Sequence, residues 1–130
     1  MFVKTLQNVL GSDDHVVGEA YESRRLLLAR DELGYSLHDT LVKAGTTQRL
    51  HYKNHLESNY CIEGEGEVEN TVTGEKWPIG PGSLYVLDQH DPHIIRATTD
   101  LRLICIFTPA LTGHEKHDKD GSYAAPLSRD

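Results

Sequence analysis

The chain has 130 residues, a length that favours a single domain over residues 1–130 and leaves no room for a separate cofactor domain. Its 20 acidic and 13 basic residues give a formal net charge of −7, which argues against a nucleic acid or an anionic membrane as partner, since both require clustered Lys and Arg. Two cysteines, Cys61 and Cys105, are too few for a disulfide framework, and no apolar run reaches the length of a membrane span. We therefore expect a cytoplasmic protein with reduced thiols.

In chain order, the sequence predicts a weak helix at 6–10 and then a series of short strands separated by turn residues. The strands are predicted at 23–29, 35–43, 49–53, 58–63, 67–72, 76–79, 83–87, 94–97 and 101–108. A second weak helical pattern follows Leu111, and the polar tail from His114 is expected to form a loop. Short strands with Gly and Pro between them are typical of sandwiches and barrels. The sequence therefore predicts an all-β fold with one or two short helices.

Alternation along three of these strands predicts which side chains share a face, because neighbouring residues of a strand point to opposite sides. The three predicted faces are Tyr21, Ser23, Arg25 and Leu27; Ser36, His38, Thr40 and Val42; and Leu101, Leu103, Cys105 and Phe107. Each face mixes apolar and polar groups, as does the inner wall of a small barrel that holds a ligand. An ordinary half-buried sheet would give the same alternation.

Two glycine-bounded segments carry side chains that could bind a metal ion. Their defining residues are Gly45, His51, Glu57 and Gly64 in the first segment, and Gly82 and His93 in the second. This spacing resembles the two-part metal signature of the cupin barrels, which implies a jelly-roll-like β-barrel with a metal site inside. If the strand is regular, His51 and His55 share a face with Glu57, and a ligand role and a supporting role are equally open for both. Lys53 stands where cupins commonly have a second histidine, so the usual ligand set lacks one donor.

Longer segments resemble one cupin family closely, the ectoine synthases, and the resemblance covers almost the whole chain. The segments that carry it read GYSLHDT at 34–40, HYKNHLE at 51–57, CIEGEGE at 61–67, LDQHDPH at 87–93 and PALTGHEKH at 109–117. The resemblance implies closure of N-γ-acetyl-L-2,4-diaminobutyrate into the compatible solute ectoine, with loss of water. It also implies iron, as Fe(II), and a cytoplasmic homodimer.

The same resemblance assigns the site residues. The implied iron ligands are Glu57, Tyr85 and His93, so that the phenol of Tyr85 supplies the donor that Lys53 does not. The residues alone would place Tyr85 in the core with a hydrogen-bonded hydroxyl. The implied substrate contacts are Tyr21, Arg25, His38, Thr40, Cys105, Phe107, Glu115 and His117. The family often has Trp at position 21 and Asn at position 38.

The chemistry of this reaction suggests roles for several of these residues. Glu115 and His117 are candidates for proton transfer, with Tyr52 and His55 in reserve. Arg25 is expected to bind the substrate carboxylate through its planar guanidinium. Cys105 is expected to be a small side chain in the pocket wall and not a nucleophile, since nothing near it in sequence obviously lowers the pKa of its thiol.

Two other functions remain open at this point. The chain could be a different iron-dependent cupin enzyme, such as a dioxygenase of a small substrate, or a cupin that binds a small ligand without catalysis. For Glu115 and His117, a solvated tail is the competing interpretation, and for Tyr52 it is simple packing. His90 and His114 are expected to be surface residues.

Overall fold

The computed structural model describes residues 1–113 and 115–125, which form a helix of one turn, a single 3-10 turn and ten strands. The helices are α1 (Leu6–Val9) and the 3-10 turn Ala29–Asp31. The strands are β1 (His15–Val17), β2 (Tyr21–Leu27), β3 (Ser36–Val42), β4 (Thr47–Leu50), β5 (Leu56–Glu63), β6 (Gly66–Asn70), β7 (Lys76–Ile79), β8 (Leu84–Leu87), β9 (His93–Ala97) and β10 (Leu101–Thr108). None of the helices in this part of the chain has the length and apolarity needed to cross a membrane.

The strands form two antiparallel sheets. One has six strands in the order β1-β2-β3-β10-β5-β8, and the other has four in the order β4-β9-β6-β7. A single cluster of buried side chains joins them, with Val42 and Leu103 from the larger sheet and Val68 and Ile95 from the smaller one. This arrangement confirms the predicted all-β, jelly-roll-like fold with one or two short helices.

The prediction is wrong in three stretches. The strand predicted at 49–53 ends at Leu50, and residues 51–55 form a loop. There the backbone N–H of His51 donates to the carbonyl of Gly121 at 3.0 Å, and that of Lys53 donates to Ser122 Oγ at 3.0 Å. These bonds to the tail replace a strand partner, so the predicted common face of His51, His55 and Glu57 does not exist.

The other two differences concern β1 and the tail. The strand β1 was not predicted, because three residues in a polar stretch give no usable alternation. The helix predicted after Leu111 is absent from the described part of the tail, which runs over the barrel instead. The carbonyls of Gly113 and Glu115 accept hydrogen bonds from Arg25, and an α-helix would have used them internally.

An irregularity in β2 changes which of its side chains point inward. The register with β3 shifts between Arg25 and Leu27, so one extra residue stands in β2. Tyr21, Ser23 and Arg25 keep the predicted common face, whereas Leu27 moves to the other side. The prediction that Leu27 shares this face is therefore wrong.

On the opposite face of the same sheet, Asp39 joins three strands. Its carboxylate accepts hydrogen bonds from Arg24 Nη2 of β2 at 2.6 Å and from Arg102 Nη2 of β10 at 2.7 Å. Burial alone would raise the pKa of Asp39, but the hydrogen bonds from Arg102 and Arg24 outweigh it and leave that pKa lowered. The network fixes the register of β2, β3 and β10, which carry many of the predicted site residues.

Candidate active site

A cavity lies between the two sheets, and the C-terminal segment closes one end of it. Many of the residues assigned to the site from the sequence line this cavity: Tyr21, His38, Thr40, Tyr52, Glu57, Tyr85, Cys105, Phe107 and His117. Ring contacts connect several of them, such as the edge-to-face pair of Tyr52 and Phe107 at 5.1 Å. The fold thus brings segments that are distant in sequence to one enclosed volume.

Glu57 is a buried carboxyl group in the wall of this cavity. Burial raises its pKa to about 8, although the nearby Asn59 amide and Cys105 thiol lower it in part. The protein therefore stabilises the carboxylate poorly by itself. A cation bound next to Glu57 would supply the missing stabilisation.

His93 is a buried imidazole whose two ring nitrogens differ in their hydrogen bonding. Its Nδ1 atom lies 2.9 Å from the carbonyl oxygen of Asp91, to which the ring N–H donates. Its Nε2 atom is buried without a hydrogen-bond partner in the described part of the chain. A histidine held through one nitrogen, with the lone pair of the other directed away, is how proteins commonly orient a metal ligand.

Tyr85 connects the inner cavity with the position of His93. It lies opposite Asn59 in the β5–β8 register and lines both the inner cavity and an adjoining outer cleft, which His93 also lines. Burial raises the pKa of Tyr85 well above its ordinary value, and the charge of Glu57 raises it further. The carboxyl and the phenol line the same cavity.

These three groups fit an iron ion by their chemistry. Within residues 1–113 and 115–125, no three or more His, Cys, Asp or Glu side chains are placed to hold a metal, so a three-ligand site in this part of the chain would need a donor of another type, such as the phenol of Tyr85. Carboxylate, phenolate and imidazole together suit iron. His55, both of whose ring nitrogens are buried without a partner among the described residues, lies close by in sequence and packs edge-on to Phe107.

Arg25 is fully buried and anchors the tail. Its guanidinium donates to Ser23 Oγ at 3.1 Å and to the carbonyls of Gly113 at 2.9 Å and Glu115 at 2.8 Å. Arg25 does not line the cavity itself, but the His38 and His117 rings do, and their pKa values are lowered first by burial and then by the charge of Arg25. Arg25 therefore places a buried positive charge behind the cavity wall.

Glu115 is packed rather than solvated. Its side chain is 11% exposed, and its two carboxylate oxygens accept the backbone N–H groups of Thr112 at 2.7 Å and Gly113 at 2.8 Å. Burial would raise its pKa, but these backbone hydrogen bonds outweigh it and leave that pKa lowered, so the group is ionised at neutral pH. For this part of the tail, the interpretation as a solvated segment is wrong. His114 lies outside the described residues.

His117 and Tyr52 form a hydrogen-bonded pair inside the cavity. The Tyr52 hydroxyl lies 2.8 Å from His117 Nε2. Burial, together with the charge of Arg25, lowers the pKa of His117 to about 4, while burial raises the pKa of Tyr52 well above its ordinary value. At neutral pH both groups are therefore uncharged, with the phenol donating to the imidazole.

Three further site residues lie on the six-stranded sheet. His38 is held by two serine hydroxyls, Ser36 at 3.1 Å from Nε2 and Ser23 at 3.4 Å from Nδ1. Burial and the Arg25 charge lower its pKa well below the ordinary value, so it is a neutral imidazole. Cys105 and Thr40 are adjacent, and burial raises the pKa of the Cys105 thiol well above its ordinary value. The thiol is therefore protonated and is no nucleophile at neutral pH.

Tyr123 and Asn59 are among the residues of this cavity that the sequence analysis missed. Tyr123 is buried and its ring stacks on that of His117, with 4.6 Å between centroids. A single aromatic residue in an otherwise polar tail was the available signal for it. Asn59 follows Glu57 by two residues and therefore shares its face of β5, which was also visible in the sequence.

Comparisons with known proteins show the family and the fold of the chain. A family model described as ectoine synthase matches residues 1–127. The L-ectoine synthase of Oceanobacillus iheyensis is 53% identical over 123 residues, which are 95% of this chain and 96% of that one. The crystal structure of ectoine synthase from P. lautus superposes with a TM-score of 0.87 at 48% identity, over 99% of this chain and 94% of that one. The EutQ protein of Clostridium difficile shares the fold alone, with a TM-score of 0.61 at 19% identity over 69% of this chain and 63% of that one.

Proposed function

Because this chain belongs to the ectoine synthase family, we propose that it closes N-γ-acetyl-L-2,4-diaminobutyrate into ectoine with loss of water. The product would serve as an osmoprotective solute. Family membership over nearly the whole chain is the observation that carries this proposal. The cavity supports it, because neutral groups that can carry protons and aromatic side chains line one enclosed space, with the buried charge of Arg25 behind its wall.

The reaction forms a C–N bond between the free amine and the amide carbon of the same molecule, and the amide oxygen departs as water. Both protons of that water come from the amine, so the site needs a group that takes a proton at one stage and returns it later. The Tyr52–His117 pair suits this role, because the neutral imidazole can accept a proton and the phenol can donate one. General acid–base help of this kind contributes roughly 10²–10⁴-fold to a rate.

The walls of the cavity would bind and fold the substrate. We propose that Arg25 attracts the substrate carboxylate, supported by its buried charge behind the wall. Thr40, His38 and Cys105 offer small polar groups, and Tyr21 and Phe107 offer flat apolar surfaces. Holding the two reacting ends together supplies the entropic part of catalysis. For Glu115, substrate binding and proton transfer are proposed in addition to its hydrogen bonds within the tail.

We propose iron, as Fe(II), as the cofactor, held by Glu57, Tyr85 and His93, with His55 in a supporting role. When bound there, the ion would act as a Lewis acid for the amide oxygen. The proposal is supported by the raised pKa of Glu57 and by the Nε2 atom of His93, which has no hydrogen-bond partner among residues 1–113 and 115–125.

The last part of the proposal concerns the cell compartment and the assembly. We propose a cytoplasmic homodimer. The charge of −7 and the two free cysteines support the cytoplasm. Exposed apolar side chains on the outer face of β10, β5 and β8, namely Tyr60, Leu84, Val86 and Ile106, support association with a second copy.

The test is mass spectrometry of the acetylated diamino acid after incubation with the purified protein and Fe(II). We expect the loss of one water, without oxygen uptake, from a protein that sediments as two chains. Oxygen uptake would instead favour a dioxygenase, and unchanged substrate would favour a ligand-binding protein.

The same assay tests the metal site when iron content is measured alongside it. Glu57→Ala should lose both iron and cyclisation, because it removes a buried ligand. Glu75→Ala removes an exposed carboxylate from the turn between β6 and β7 and should keep both. Full cyclisation by Glu57→Ala protein that has lost its iron would contradict the proposed role of iron in the reaction.

A further inference from the structure

The ring of Tyr123 lies at the centre of an aromatic cluster in the cavity. It is 3% exposed and stacks on His117 at 4.6 Å between centroids, with 21° between the ring planes. It also stacks on Tyr52 at 5.2 Å and 27°. Tyr123 therefore contacts both members of the hydrogen-bonded pair that we assign to proton transfer.

Three other groups surround the same ring. Phe107 meets it edge-on at 5.5 Å, and His55 does so at 6.1 Å. The guanidinium carbon of Arg25 lies 5.8 Å from the ring centroid. Offset-stacked and edge-on arrangements of this kind fix the orientation of aromatic rings relative to one another.

The backbone around Tyr123 is fixed from the loop between β4 and β5. The Asn54 side-chain amide donates to the Tyr123 carbonyl at 2.9 Å, and the Lys53 N–H donates to Ser122 Oγ at 3.0 Å. Gly121 has a φ of 70° and lies so close to the Arg49 carbonyl that a Cβ atom would come within 2.4 Å of that oxygen. The ring is thus placed by the tail and by the barrel together.

We propose that Tyr123 is a positioning residue, whose ring holds His117 and Tyr52 in the orientation needed for proton transfer and keeps water away from His117. This inference rests on the proposed cyclisation. It assigns the effect to the ring and not to the hydroxyl, because Tyr123 contacts His117 and Tyr52 through its ring.

Burial is the largest cause of the lowered pKa of His117, so removal of the covering ring should raise that pKa towards 6.5. The charged and titratable groups that also act on His117 or contact it are Arg25, Asp118, His93, Tyr21 and Tyr52. All of these remain in a Tyr123 variant, so a change in the pH profile isolates the ring.

The experiment compares Tyr123→Phe, Tyr123→Leu and Ser122→Ala in the iron-loaded protein. Tyr123→Phe keeps the ring and should keep kcat within about twofold, whereas Tyr123→Leu should lower kcat about tenfold or more. Between pH 6.5 and pH 4, Tyr123→Leu should also be less active than it is at pH 8. The wild type and Tyr123→Phe should keep their activity over this range. Ser122→Ala weakens the tail anchor but leaves the ring, so it should lower the melting temperature without moving the pH profile.

The outcomes separate this inference from the proposed function. If the wild type does not cyclise the substrate, the proposed function fails. If the wild type cyclises it and Tyr123→Leu matches it in kcat and pH profile, the inference is overturned. Equal losses in Tyr123→Phe and Tyr123→Leu would also overturn it, since the hydroxyl would then be the active part. A pH shift in Ser122→Ala equal to that in Tyr123→Leu would assign the effect to tail packing alone.

Discussion

His117 lies in a polar tail, yet the fold partly buries it among rings and beside a guanidinium. Its partners come from β2, from the loop after β4 and from the tail itself: Arg25, Tyr21, Tyr52 and Tyr123. A neutral imidazole therefore stands in the cavity at every pH above about 4.

This burial predicts a dependence of stability on pH. An imidazole in the unfolded chain binds a proton below about pH 6.5, whereas His117 in the fold does so only below about 4. Between these values the unfolded state holds the extra proton, so stability falls as the pH decreases from 6.5 to 4 and this contribution is constant below that. The expected loss is about 3 kcal/mol, at 1.36 kcal/mol per pKa unit.

Urea unfolding at several pH values checks this for the wild type and for His117→Gln. The difference between the two proteins isolates His117, because other titrating groups contribute equally to both. The difference in free energy of unfolding between the two proteins should change between pH 6.5 and pH 4 and be constant above and below this range. A constant difference from pH 7 to pH 4 would contradict the burial of this ring.

At the scale of elements, most strands could be predicted from alternation and turn residues. The limits of β7 and β10 agree with the predicted strands at 76–79 and 101–108. The bulge in β2 could not be predicted, because an extra residue there leaves the local pattern unchanged and shows only in the register with β3.

Two glycines of the cupin-like pattern allow a matched test of a close approach between two of the segments that connect strands. Gly64 and Gly82 both have a φ of 91°, but only at Gly64 would a Cβ atom clash, at 1.9 Å from the Asp100 carbonyl oxygen. Gly82→Ala should cost about 1–2 kcal/mol from backbone strain alone. Gly64→Ala should cost about 1–3 kcal/mol more, because backbone atoms must move apart.

Chemical denaturation of the two variants measures both values. A smaller loss for Gly64→Ala than for Gly82→Ala would show that the turn between β5 and β6 can move away from Asp100 without cost. Unchanged m-values would confirm that both variants unfold from the same compact state.

At the scale of the whole molecule, the barrel and the tail have separable tasks. The proposed iron ligands belong to β5, β8 and β9, whereas Glu115, His117 and Tyr123 belong to the tail. A chain that ends at Thr112 should therefore bind iron and keep its sheets but lose cyclisation, with a lower melting temperature because Arg25 loses two of its three acceptors.

Iron content, far-UV circular dichroism and product formation check this prediction with the full-length chain as control. Loss of iron together with activity would show that the tail is needed to form the metal site. Retained cyclisation would show that the tail residues are not needed for the reaction.

The sequence by itself determined the all-β class, most strand positions and, through its resemblance to one family, the set of candidate site residues. Those features depend on local alternation, on turn chemistry and on residues that can be compared position by position. Only the tertiary structure decided that the tail packs over the barrel, that Arg25 anchors it and that Tyr123 joins the cavity. These features depend on contacts between residues far apart in the chain, such as Arg25 and Glu115, for which no local pattern exists.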